Sequence, residues 1–132
     1  MSKEIHVLLV DDEPDFIEPL SFWLKTKGYR VSTVSSGEEA VRLVKDDPPQ
    51  IVFLDIHMHG MDGLEALRQI RTFNPELPVI MVTATGSVEE NFRKAKKLGV
   101  SGFFPKHTSL DELGSIIESS LRSHAKLKSS QA

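Results

Sequence analysis

Ile51-Val-Phe-Leu-Asp55-Ile-His-Met-His-Gly60-Met-Asp-Gly63 starts as an unbroken apolar run, meets a carboxylate, and then breaks into a loop bracketed by glycines. Four β-favouring residues without polar alternation suit a strand covered on both faces, which is a central position in a parallel sheet. Asp55 then stands at the strand's carboxyl end, the edge where open α/β sheets hold their ligands.

Working outward, Ile5 to Val10 is a second apolar run, interrupted only by His6 and stopped by Asp11-Asp12-Glu13-Pro14. Asp12 is placed to cap a helix whose first turn holds Pro14 and Asp15. Phe16, Leu20, Trp23 and Leu24 recur at helical spacing and Gly28 ends the helix; Pro19 removes one backbone bond and predicts a local kink. Tyr29 to Val34 alternates apolar and polar residues, as an edge strand with one wetter face does. A second helix opens at Ser36-Gly-Glu-Glu39, buries Ala40, Leu43 and Val44, and stops at Asp46-Asp-Pro-Pro49. Beyond Gly63, Leu64, Leu67 and Ile70 mark a third helix closed by Asn74-Pro75, and Pro78 to Thr83 is a fourth strand. Ser87 is placed to cap a fourth helix with Val88, Phe92, Ala95 and Leu98 inward, closed by Gly99. Ser101 to Pro105 forms a last strand, and Thr108-Ser-Leu-Asp111 resembles a capping box before Leu110, Leu113, Ile117 and Leu121. Strands alternating with helices imply right-handed crossovers and an α/β, doubly wound parallel five-stranded sheet. Ser123 to Ala132, with His124, Lys126 and Lys128 among serines and alanines, reads as a frayed tail or truncated linker.

A chain of 132 residues falls within the size of one domain. Sixteen Lys+Arg against 19 Asp+Glu give a formal charge of -3, so no global field favours nucleic acid or an anionic membrane. With 0 cysteines there is neither a disulfide framework nor a thiolate metal site. No apolar run approaches a membrane span and the start lacks a signal-peptide core, so the expected location is cytoplasmic. The basic run Arg93-Lys94-Lys96-Lys97 lies at the spacing of a solvated helix face, without interleaved aromatics for base stacking.

Successive strands end in Asp11-Asp12, Asp55, Thr83 and Lys106, and in a parallel sheet these ends share one edge. Close carboxylates repel one another, so either some take up protons or a hard cation sits among them. Carboxylate oxygens suit magnesium, with manganese able to substitute. An ammonium and a hydroxyl beside them match the oxygens of a phosphoryl group, and Asp55 can attack phosphorus to form an acyl phosphate.

On these residues the chain resembles the receiver domain of two-component response regulators, of the chemotaxis-regulator kind. Leu9-Val-Asp-Asp-Glu-Pro14, Ile51 to Gly63, Val82-Thr-Ala84 and Pro105-Lys106 are similar to that family's motifs, and the likeness covers residues 4–122. The resemblance implies a flavodoxin-like (βα)5 fold with strand order 2-1-3-4-5. It implies that Asp55 accepts phosphate from a phosphohistidine on a sensor histidine kinase or phosphotransfer protein. Asp12 would bind magnesium directly, Asp11 largely through water, and the backbone carbonyl of His57 would be a further ligand. Thr83 would move toward the phosphate and Phe103 stands at a mobile switch position. The fourth helix, fifth strand and fifth helix would form the surface for an output domain, a partner protein or a second copy.

Two positions depart from the family pattern: His59 and His107 stand where it carries proline. A cis bond before a residue other than proline costs about 2.5–4 kcal/mol, so a trans bond is expected between Lys106 and His107. His57, His59 and His107 invite a transition-metal or pH-sensing hypothesis, and His57 and Thr85 are candidates for tuning the lifetime of the acyl phosphate. The expected chemistry is self-phosphorylation and self-dephosphorylation only. The rivals are a haloacid-dehalogenase-like phosphatase, whose Asp-x-Asp pattern the first strand does not match, and a receiver-like scaffold that signals without phosphate.

Overall fold

The computed structural model describes residues 5–84 and 89–131, the side chains of 123–131 excepted; Thr85, the expected Ser87 cap and Val88 lie outside the described residues. The elements are β1 (His6–Val10), α1 (Pro14–Thr26), β2 (Arg30–Val34), α2 (Gly37–Asp46), β3 (Ile51–Asp55), α3 (Gly63–Phe73), β4 (Val79–Thr83), α4 (Glu89–Lys97), β5 (Gly102–Pro105) and α5 (Leu110–Gln131). The strands form one parallel sheet in the order β2-β1-β3-β4-β5, the doubly wound flavodoxin-like arrangement.

Every residue of β1, β3 and β4 is buried, whereas β2 at the edge is half-exposed. The unbroken and alternating patterns have the same cause: a central strand has no wet face. Alternate residues of β3 feed two cores. Val52 and Leu54 pack with Ala40 and Val44 of α2 and with Ala66, Leu67 and Ile70 of α3. Ile51 and Phe53 pack with Leu20 and Leu24 of α1 and with Leu113 and Ile117 of α5. Each of these valine, leucine, isoleucine and phenylalanine side chains, removed from water, stabilises the fold by about 1.5–3 kcal/mol.

Three local features differ from the sequence expectation or sharpen it. Asp12 does not cap α1; Glu13 holds that position without a side-chain bond, because Asp12 is engaged by a distant loop instead. The helix continues through Pro19 to Thr26. α5 runs on to Gln131, so the stretch from Ser123, expected to fray, continues the helix backbone. Its alanine, lysine, leucine and glutamine are good helix formers, and adding residues to an existing helix is far easier than nucleating one.

Arg71 of α3 clasps the opposite edge of the sheet. Its Nε donates to Leu98 O at 2.7 Å and its Nη2 to Gly99 O at 3.1 Å, while Nη1 donates to Asn74 O and Leu77 O at 3.1 and 2.8 Å. One guanidinium fork thereby ties the turn after α4 to the turn after α3.

Candidate functional site

β1 and β3 are adjacent, so their carboxyl ends bring Asp11, Asp12 and Asp55 together; each offers an oxygen within 4.8 Å of the others. Asp55 is 1% exposed, and its Oδ1 accepts from the backbone N–H of His57 at 3.1 Å. Asp11 is buried, and its Oδ1 accepts from the Glu13 N–H at 2.9 Å. Asp12 is only half-buried, and its Oδ2 accepts both the backbone N–H and the ring Nδ1–H of His59, at 3.0 and 2.7 Å.

The far side of the site is built by β4 and β5. Thr83 is buried at the end of β4, and its carbonyl accepts from the Lys106 N–H at 2.8 Å, which fixes where the lysine leaves the sheet. Lys106 Nζ lies 3.2 Å from Asp55 Oδ2 and 3.1 Å from Asp11 Oδ2, pairs with Glu13 Oε1, and sits 5.1 Å from the centre of the Phe16 ring. No peptide bond among the described residues is cis, as expected for the bond between Lys106 and His107.

Crowded acids titrate abnormally. Burial, reinforced by the charge of Asp11, pushes the Asp55 carboxyl up to about 6 against the pull of Lys106 and the His57 N–H. Burial likewise raises Asp11. The two bonds from His59 hold Asp12 below the usual carboxylate range. For Lys106 burial opposes the charge, but its pairing with Glu13 and Asp11 and the charge of Asp55 outweigh it and raise the ammonium's pKa. Among the described residues, Asp11 Oδ2 is buried without a hydrogen bond and contacts the lysine as an ion pair. Such an oxygen is a natural seat for a cation or for water bound to one.

The remaining expected residues fall around this centre. Phe103 is half-buried against the core and meets Phe92 of α4 edge to face, with centroids 4.8 Å apart. His57, His59 and His107 are exposed, and among the described residues they join no group that could hold a metal ion; the acidic trio is one that could. Thr85 lies outside the described residues. Two residues contribute beyond what their local sequence suggests. Glu13 ends the first apolar run, and its place as the third acid of Asp11-Asp12-Glu13 is the signal for its pairing with Lys106. Gly63 is a turn residue, and in addition a Cβ there would lie 2.1 Å from the Asp55 carbonyl oxygen.

The response regulator receiver domain family matches residues 7–118. The chain belongs to that family. Among relatives of this receiver domain, the transcriptional regulatory protein GlrR of Escherichia coli is 35% identical over 123 residues, which cover 93% of this chain and 28% of the relative. The response regulator MprA of Mycolicibacterium vanbaalenii is 37% identical over 109 residues, 83% of this chain and 47% of the relative. The chain thus spans less than half the length of either curated relative. In fold it is similar to a CheY-like receiver domain from Methanospirillum hungatei, with a TM-score of 0.89 at 22% identity, covering 94% of this chain and 98% of that one. Among the described residues, no helix is long and apolar enough to cross a membrane.

Proposed function

We propose that this receiver domain is a phosphorylation-activated switch in which Asp55 accepts a phosphoryl group from a phosphohistidine of a sensor kinase or phosphotransfer protein. The observation that carries the reading is the buried Asp55 carboxylate, 3.2 Å from Lys106 Nζ and grouped with Asp11 and Asp12. Asp55 attacks phosphorus, the donor's P–N bond breaks, and its electron pair leaves with the imidazole, so that an acyl phosphate forms. Lys106 neutralises charge on the transferred oxygens, and the Thr83 hydroxyl donates to one of them.

The donor set fits magnesium. Three carboxylates within 4.8 Å, one with an oxygen lacking a hydrogen bond, suit a hard cation that keeps several waters. Asp11, Asp12, Asp55 and the His57 carbonyl would hold it, with manganese able to substitute. When bound it supplies positive charge to the developing phosphoryl oxygens and offsets the repulsion among the acids.

Water later hydrolyses the acyl phosphate, and His57 and Thr85 tune its access. Thr83 and Phe103 relay occupancy to the surface of α4, β5 and α5, which meets an output domain, a partner protein or a second copy. The setting is cytoplasmic, and nucleic acid is not a direct ligand. The domain turns over its own phosphoryl group rather than an external substrate.

Incubation with acetyl phosphate and magnesium, followed by intact mass measurement, tests this. One phosphoryl adduct is expected, lost in Asp55→Asn and when a chelator is present. Absence of an adduct in the unaltered chain would favour a phosphate-independent scaffold, and repeated turnover of phosphomonoesters without Asp55 would identify a phosphatase.

A further inference from the structure

His59 stands where the family pattern carries proline, and it does something proline cannot. Its backbone N–H and its ring Nδ1 converge on a single oxygen, Asp12 Oδ2, at 3.0 and 2.7 Å. Because a carboxylate only accepts, the ring nitrogen facing it carries the proton. Proline lacks the N–H and has no side-chain donor, so both bonds are particular to this residue choice. Apart from this pair the ring is free of the fold: the His59 side chain is fully exposed, whereas that of Asp12 is only 18% exposed. The imidazole therefore contributes no core packing, and among the described residues its side-chain partner is a member of the acidic trio.

We propose that His59 is a positioning residue for the cation site, locking the Asp12 carboxylate so that its other oxygen is presented to the metal. The inference rests on the reading of Asp11, Asp12 and Asp55 as that site. Asp12 is the trio member that most needs such help. Asp11 and Asp55 are buried and each accepts a neighbouring backbone N–H, while Asp12 is the outermost of the three. Left alone, an outer carboxylate rotates, and a bound cation must then immobilise it. Two donors on one oxygen remove that freedom beforehand. Partners that orient a ligating carboxylate typically change metal affinity by about 10–100-fold.

The test is calorimetric titration of the whole chain with magnesium chloride, beside a thermal melt in chelator. His59→Ala keeps the backbone donor and loses the ring; His59→Pro loses both; His59→Gln restores a side-chain donor. Affinity is expected to fall about tenfold in His59→Ala, further in His59→Pro, and to recover partly in His59→Gln, with the melting temperature of His59→Ala unchanged. In an Asp12→Asn background, His59→Ala is expected to have no further effect. Equal or tighter binding by His59→Ala overturns the proposal while leaving the cation site standing. An undiminished effect of His59→Ala in the Asp12→Asn background overturns it as well. Failure of the unaltered chain to bind magnesium removes both the proposal and the site reading beneath it.

Discussion

His6 occupies a position in β1 where every neighbour along the strand is apolar, and it is only 3% exposed. Its Nε2 meets Ser32 Oγ of β2 at 2.7 Å, and its Nδ1 is buried without a hydrogen-bond partner. Burial, aided by the nearby Arg30 guanidinium and opposed by Asp47, holds the imidazole below its ordinary pKa. The unfolded chain therefore takes up this proton first as the pH falls. The contribution of neutral His6 to stability is complete above its unfolded value of about 6.5 and is lost as the pH drops through the lower folded value. Chemical denaturation between about pH 5 and 8 should show a loss of stability on the acid side that His6→Gln reduces. An identical acid limb in the two proteins would show that His6 does not drive it. The sequence marks His6 as an interruption in an apolar run, but Ser32 lies 26 residues away and only strand pairing reveals it as the partner.

The junction between β3 and α3 shows what local reading can and cannot reach. The strand, its terminal Asp55 and the helix after Gly63 are all legible, because period and turn chemistry are local signals. Asp62 caps α3 through its Oδ1, which accepts from the Glu65 N–H at 2.9 Å. Gly63 N donates to Ile56 O at 2.9 Å, folding the loop back over the strand it has just left. A methyl group at Gly63 would collide with the Asp55 carbonyl carbon and oxygen and with Ile56 Cα, all backbone atoms that cannot rotate away. Gly63→Ala is expected to destabilise the domain by about 1–3 kcal/mol or more and to impair phosphoryl transfer by displacing Asp55. A urea melt and the acetyl phosphate adduct measure the two effects. The shift of the α1 cap from Asp12 to Glu13 has the same origin. Asp12 matches a helix N-terminus locally, yet a donor pair 47 residues away claims its carboxylate.

For the molecule as a whole, the alternation of apolar runs with helical periods is enough to define five parallel strands joined by four helical crossovers, because each strand–helix unit carries its own pattern. The functional edge of the sheet works against that stability. Asp55 has its carboxyl raised to about 6, so the stability linked to its proton is present below the unfolded value of about 3.8 and lost as the pH rises through about 6. At neutral pH without a cation, the buried charge costs on the order of 1–3 kcal/mol. In chelator Asp55→Asn should therefore melt higher than the unaltered chain. Magnesium should raise the melting temperature of the unaltered chain more than that of the variant. A lower melting temperature for Asp55→Asn would show that its pairing with Lys106 outweighs the strain of burying it.

The Arg71 clasp gives this frustrated edge a mechanical counterpart. Arg71 pins the turn that follows α4 at Leu98 and Gly99, whereas the first residue of α4, Glu89, follows the end of β4 by six positions. Under the proposed switch, with α4 held at its far end by the clasp and along its length by buried Ala95, a displacement of Thr83 is expected to reach α4 as rotation about Leu98 rather than as translation of the whole helix.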